Sequence, residues 1–169
     1  MRTIPDPGFA DDTGAVSTAV TETLTRFEQA PAEGYAEVIA ALHDSRLLVP
    51  VVATLGEVEY DEHGLAHDKT SDMATVLMRA PDGRLGLLAF TSIASMQRWD
   101  PAARPVPVAM RLAAKAALQD GADVVVVDVA GPVTFVVGQR ELRALADGLA
   151  LVRIGDDLAW AGTTDTGGR

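Results

Sequence analysis

The run "DVVVVDV", Asp123 to Val129, constrains the fold of this chain more than any other stretch. Consecutive β-branched residues favour extended backbone, and a strand that is apolar at every position has to be covered on both faces. Such cover comes from helices or a second sheet, so the run predicts a layered arrangement rather than a helical bundle. With 169 residues, 48% of them hydrophobic, the chain is long enough to provide that cover. One domain of this size buries roughly two-thirds of the surface exposed by the unfolded chain.

The other elements are punctuated clearly. Residues 1–14, with Pro5, Pro7, Gly8 and Gly14, can bury little apolar surface and read as a flexible arm whose removal should cost little stability. Val16, Val20, Leu24 and Phe27 fall at helical spacing, and "APAEG" breaks the run before a second set at Tyr35, Val38, Ile39 and Leu42. "RLLVPVVATL", 46–55, reads as a buried strand in which Pro50 hints at an edge or a bulge. "GEVEYDEHGLAHDKTSD" is polar and turn-rich, a long connecting loop.

Residues 73–80 and 85–90 predict a hairpin turning at Pro81-Asp82-Gly83. Thr91 or Ser92 then caps a short helix that carries Ile93 and Met96 inward and stops at Pro101. "ARPVPV" starts extended and gives way to an alanine-rich helix from about Val108 to Gln119. After the valine run, "PVTFVV" is a further strand, "GQRELRALADG" a last helix, and "ALVRI" a strand closing the core. The order predicts an α/β (α+β) fold, a single domain with a mixed β-sheet and helices packed against it. The domain is expected over 15–160, followed by a flexible tail over 161–169.

Composition narrows the function. There is no cysteine, which excludes disulfides, thiolate metal clusters and cysteine nucleophiles, and suits a reducing cytoplasm. "MRTIPDPGFADDTGAV" lacks the pattern of a secretory signal, and no apolar run approaches the ~20 residues of a membrane span. A cytoplasmic protein with no membrane partner is expected. The net charge of -10 resides in residues 1–72, which hold 14 acids against four bases, whereas 73–169 hold ten of each. A negative chain is a poor match for a phosphate backbone, so no nucleic acid is expected.

Candidate chemistry is sparse. Neither a phosphate-binding "GxxxxGK[ST]" nor a dinucleotide-binding "GxGxxG" occurs, and neither Ser92 nor Ser95 sits on a nucleophile elbow. His63 and His67 stand four apart among Asp61, Glu62, Asp68 and Asp72, a donor set suited to zinc, iron or manganese. Gly64 and the surrounding acids argue for a turn instead of the helix that would align both rings, so an exposed loop and no bound metal are expected. Asp128 ends a strand, where carboxylates often line ligand crevices, but "VAGP" after it favours a turn or capping role. No catalytic residue and no cofactor follow from these patterns.

"LLVPVVA", "HDKTSDMATVLM", "APDGRLGLLAFTSIASMQRWDP", "RPVPV", "DGADVVVVDVAGP" and "FVVGQRELRALADG", in that order, resemble the N-terminal domain of the SseB family, named for enhanced serine sensitivity, and its actinobacterial members in particular. The resemblance spans about residues 40–150. It implies a small cytoplasmic α/β domain with no established catalytic residues to carry over, and the C-terminal domain of longer SseB-like proteins is not expected within these 169 residues.

Two functions are therefore expected to compete. In the first, the chain is a non-catalytic protein-binding or regulatory module. Trp99 anchors a partner or a second copy, and Arg98 and Arg104 supply charge, since Trp and Arg dominate interface hot spots. In the second it is a small-molecule sensor or enzyme for an amino acid or anion. Lys69 and Arg104 would then hold a carboxylate while Asp68 or Asp128 meets an amine.

Overall fold

The computed structural model describes residues 9–53, 59–60, 66–67 and 73–162, and its first two helices, α1 (Thr18–Gln29) and α2 (Pro31–His43), pack on one another. The Ser17 side chain accepts from the Val20 amide to start α1, and Pro31, with no amide hydrogen to leave unpaired, starts α2. The helices close tightly because α2 carries Gly34 at the crossing, where a Cβ would lie 2.7 Å from the Phe27 Cα.

The strand β1 (Arg46–Ala53) follows, then β2 (Glu59–Tyr60) and β3 (Ala66–His67), which pair antiparallel. That two-residue ladder lies in a stretch read from sequence only as a loop. The expected hairpin forms, but its first strand is divided into β4 (Met73–Thr75) and β5 (Leu77–Arg79), and only β5 pairs with β6 (Leu85–Ala89). β4 pairs with β1 instead. After β6 come α3 (Ile93–Trp99), β7 (Arg104–Ala109), α4 (Met110–Gln119), β8 (Val124–Val127), β9 (Phe135–Val137) and α5 (Gln139–Ala146). A last antiparallel pair, β10 (Ala150–Ile154) with β11 (Asp157–Ala161), ends the described chain.

A three-stranded sheet of order β4-β1-β7 and a four-stranded mixed sheet of order β5-β6-β8-β9 meet where Leu48 and Phe90 exchange both backbone hydrogen bonds, each 2.8 Å. β1 is thus an inner strand, not the edge that Pro50 suggested. The reason is local: Pro50 faces the same side as Leu48, at the point where β1 leaves Phe90 and takes up β4, so the missing donor falls at a change of partner.

Strand alternation divides the apolar side chains cleanly. Leu47, Val49, Leu87, Ala89, Val125 and Val127 share a core with α1, α2, α4 and α5. Phe135 is its centre, with Phe27 edge-on at 4.9 Å and Tyr35 stacked at 5.0 Å, contacts contributing about 0.5–1.5 kcal/mol each beyond area burial. On the opposite face Leu48, Leu88, Phe90 and Val126 form a smaller core with Met96 of α3. The valine run is covered on both faces at Val126, and that second face opens toward β9, where Val136 is 43% exposed.

"ALVRI" does not join the main sheet. As β10 it pairs only with β11, and Leu151 and Trp160 of this hairpin lie against the larger core. No helix among the described residues is long and apolar enough to cross a membrane.

Candidate binding site

The site grows from the end of β6. Phe90 is fixed by its exchange with Leu48, and the next residue, Thr91, meets a buried carboxylate. The Thr91 amide donates to Asp128 Oδ1 at 2.9 Å, and its hydroxyl donates to Oδ2 at 2.7 Å. Asp128 sits just past β8 with φ at 52°, a left-handed conformation that short polar side chains tolerate best. Its own carbonyl accepts from the Gly131 amide and the Thr134 hydroxyl, so the expected turn role is present together with a tertiary one.

Arg46 approaches Thr91 from the other side. Its guanidinium donates to the Thr91 carbonyl, to the Ala15 carbonyl at 2.7 Å, and through Nε and Nη2 to both oxygens of Asp12. Both side chains are largely withdrawn from water, 12% exposed for Arg46 and 15% for Asp12. The hydrogen bond from Arg46 is the main influence holding the Asp12 carboxyl below its ordinary pKa, opposing the upward push of desolvation, and the Gly14 amide adds to it. The carboxyl-terminal half of the expected arm, residues 9–14, is therefore tied to the body. Gly14 is buried, and its carbonyl accepts from the Ile93 amide. Residues 1–8 lie outside the described residues.

Ser92 caps α3 as the sequence suggested: its hydroxyl accepts from the Ser95 amide at 3.0 Å, and its own amide donates to the Ser95 hydroxyl at 3.2 Å. Arg98 is exposed in the last turn of this helix. Trp99 is half-buried and stacks on Phe90 with ring centroids 5.6 Å apart, so most of its value is to the smaller core. Ala103 returns the chain to that core, and β7 begins at Arg104.

Arg98 and Arg104 do not share a face. Arg104 is the register partner of Val51, and alternation along β1 turns Val51 away from Leu48 and hence from α3. What the fold does bring together is Arg98 and Asp128. Both line a cavity of about 190 Å³ whose remaining wall includes Val16, Leu24, Ala94 and Val133. Lys69 and Asp68 lie outside the described residues, as does His63; Arg104 is not part of this cavity.

Sequence reasoning missed Thr91 as the partner of Asp128 and Arg46 as the clamp on Asp12. A lone arginine opening an apolar strand is the only signal the sequence offers for that clamp. Among the described residues no group of three or more metal-ligating side chains converges. Asp128, Thr91, Ser92 and Ser95 each make hydrogen bonds that hold the corner together.

An α+β domain is thereby defined: α1, α2, α4 and α5 cover one sheet face, α3 packs on the other, and a polar corner with a small cavity lies between α1 and α3. The chain belongs to the SseB family, because the family model for the SseB protein N-terminal domain matches residues 20–144. No curated protein and no solved structure matches the chain.

Proposed function

We propose that this domain is a non-catalytic cytoplasmic module that acts by binding a protein partner through the corner of α3 and β7. The observation that carries the reading is the state of its arginines. Arg98 and Arg104 are exposed with no carboxylate in ion-pair range among the described residues, a state they share with Arg79, Arg111, Arg140 and Arg143, but these two flank Trp99 and Pro101 along the chain. Arg98, unpaired beside the half-buried Trp99 and the exposed Pro101, suits an acidic protein segment, and Arg104, on the opposite side of the sheet, offers a second charge to a partner that wraps around the edge strand β7.

The form of contact follows from backbone alternation. Leu48 spends its backbone groups on Phe90, so Leu47 and Val49 turn theirs to Val108 and Val106 of β7. Pro105 and Pro107 then hold the outward positions of this edge strand, and neither has an amide hydrogen to offer. A partner therefore meets side chains here and does not extend the sheet. The net charge of -10 disfavours nucleic acid as that partner, and the reading needs neither a cofactor nor a membrane.

Cross-linking in cell extract at low salt, with Arg98→Glu and Arg104→Glu as separate variants, tests the reading. A specific cross-linked protein, or a second copy of this chain, should be lost in one or both variants and weakened by salt. A partner retained equally by wild type and both variants would place binding elsewhere.

A further inference from the structure

Asp128, at 1% exposure, is the one ionisable side chain among the described residues that is fully buried. Its partners are the amide and hydroxyl of Thr91, one to each oxygen, and no Lys or Arg bonds to it among the described residues. An ionised carboxylate has about four acceptor sites. Burying one with no positive charge bonded to it is costly, so the place where it meets a cavity is a natural seat for a cation.

The same cavity has Arg98 on its wall, and Arg98 has no carboxylate partner among the described residues. The three threonine hydroxyls that line it are already used as donors, that of Thr91 to Asp128. The Thr21 hydroxyl donates to the Ser17 carbonyl at 3.2 Å, and the Thr25 hydroxyl to the Thr21 carbonyl at 2.9 Å, so both can only accept from a ligand. Arg98 is thus the one charged donor in a cavity otherwise supplied with acceptors and the apolar side chains of Val16, Leu24 and Val133.

From this polarity we propose that the cavity binds a small zwitterionic α-amino acid, its ammonium group directed to Asp128 and its carboxylate to Arg98. The volume of about 190 Å³ sets the size, being below the ~300–1,000 Å³ of pockets for drug-sized ligands. A short aliphatic side chain fits against Leu24 and Val133. This inference goes beyond partner binding at the corner; the two share Arg98, and Arg104, which takes no part in the cavity, separates them.

Calorimetric titration with L-alanine, and with its two halves, propanoate and ethylamine, reads the proposal directly. L-alanine should saturate the protein, each half should bind at least about tenfold more weakly, and Arg98→Gln should weaken L-alanine by about tenfold without lowering the melting temperature. Ala94→Leu, which fills the cavity at an exposed helical position, should also abolish binding. Asp128→Asn loosens Thr91 as well, so Arg98→Gln and Ala94→Leu carry the test. No saturation by about 10 mM, tenfold above a millimolar Kd, overturns the proposal. So does propanoate binding as tightly as L-alanine, or an unchanged Kd in Arg98→Gln. Loss of a cross-linked partner in Arg104→Glu with L-alanine binding intact would separate the two sites.

Discussion

Replacing Arg46 with methionine removes the guanidinium but keeps much of the apolar stem, and the structure sets the cost. Four hydrogen bonds are lost: two charge-assisted bonds to Asp12, and one each to the carbonyls of Thr91 and Ala15. Breaking a fully buried pair costs about 3–5 kcal/mol, and an exposed one about 0–1. At 12% and 15% exposure this pair lies near the buried limit, and some hydration of the freed groups lowers the estimate to about 3 kcal/mol. For a chain of this size that is a fall of roughly 6–12 °C in melting temperature.

The pH dependence is fixed by sign. The Asp12 pKa is lowered in the folded state, so its contribution is complete above the unfolded carboxylate value of about 4 and fades as pH falls through the folded value. The gap between wild type and Arg46→Met should therefore be widest at neutral pH and narrow in acid. Deleting residues 1–14 takes Asp12 and Gly14 away and should cost a comparable amount, in contrast to the small cost expected from sequence. Urea unfolding at pH 7 and pH 3 measures both variants. A change below about 0.5 kcal/mol at pH 7 would mean that the pair behaves as a surface ion pair and that the clamp does not hold residues 9–14.

Three further outcomes follow from single positions. Gly14→Ala should destabilise by about 1–3 kcal/mol in thermal unfolding, because φ is +75° and the new Cβ would lie 2.2 Å from Ile93 Cδ1. Ser92→Ala removes the cap of α3 and should cost about 1 kcal/mol in urea unfolding, with the loss partly recovered in Ser92→Asp. Addition of a chelator should leave the melting temperature unchanged; a drop reversed by zinc or manganese would revive the His63 and His67 reading.

The parts of the fold set by local chemistry were legible in the sequence. The spacing of Val20 and Leu24, the turn at Pro81-Asp82-Gly83, the Ser92 cap and the valine run each announce an element through backbone preference or side-chain period. What could not be read depends on register. One strand of the hairpin is shared between two sheets because β1 changes partner at Pro50, and only pairing reveals that. The proposed grouping of Arg98 with Arg104 looked natural six residues apart. A turn and one step of alternation put them on opposite sides of the sheet. Arg98 and Asp128 share a cavity only because α1 closes it, and Arg46 finds Asp12 and Thr91 across 34 and 45 residues.

Amide hydrogen exchange of the domain, alone and with its cross-linked partner protein or second copy, addresses most directly the claim that the α3–β7 corner is the binding face. Binding there should add protection over residues 97–108, as the exposed backbone around Pro101 and Arg104 leaves water, and leave α1 and α2 unchanged. Protection confined to α1 and α2, with 97–108 exchanging as in the free domain, would contradict the account.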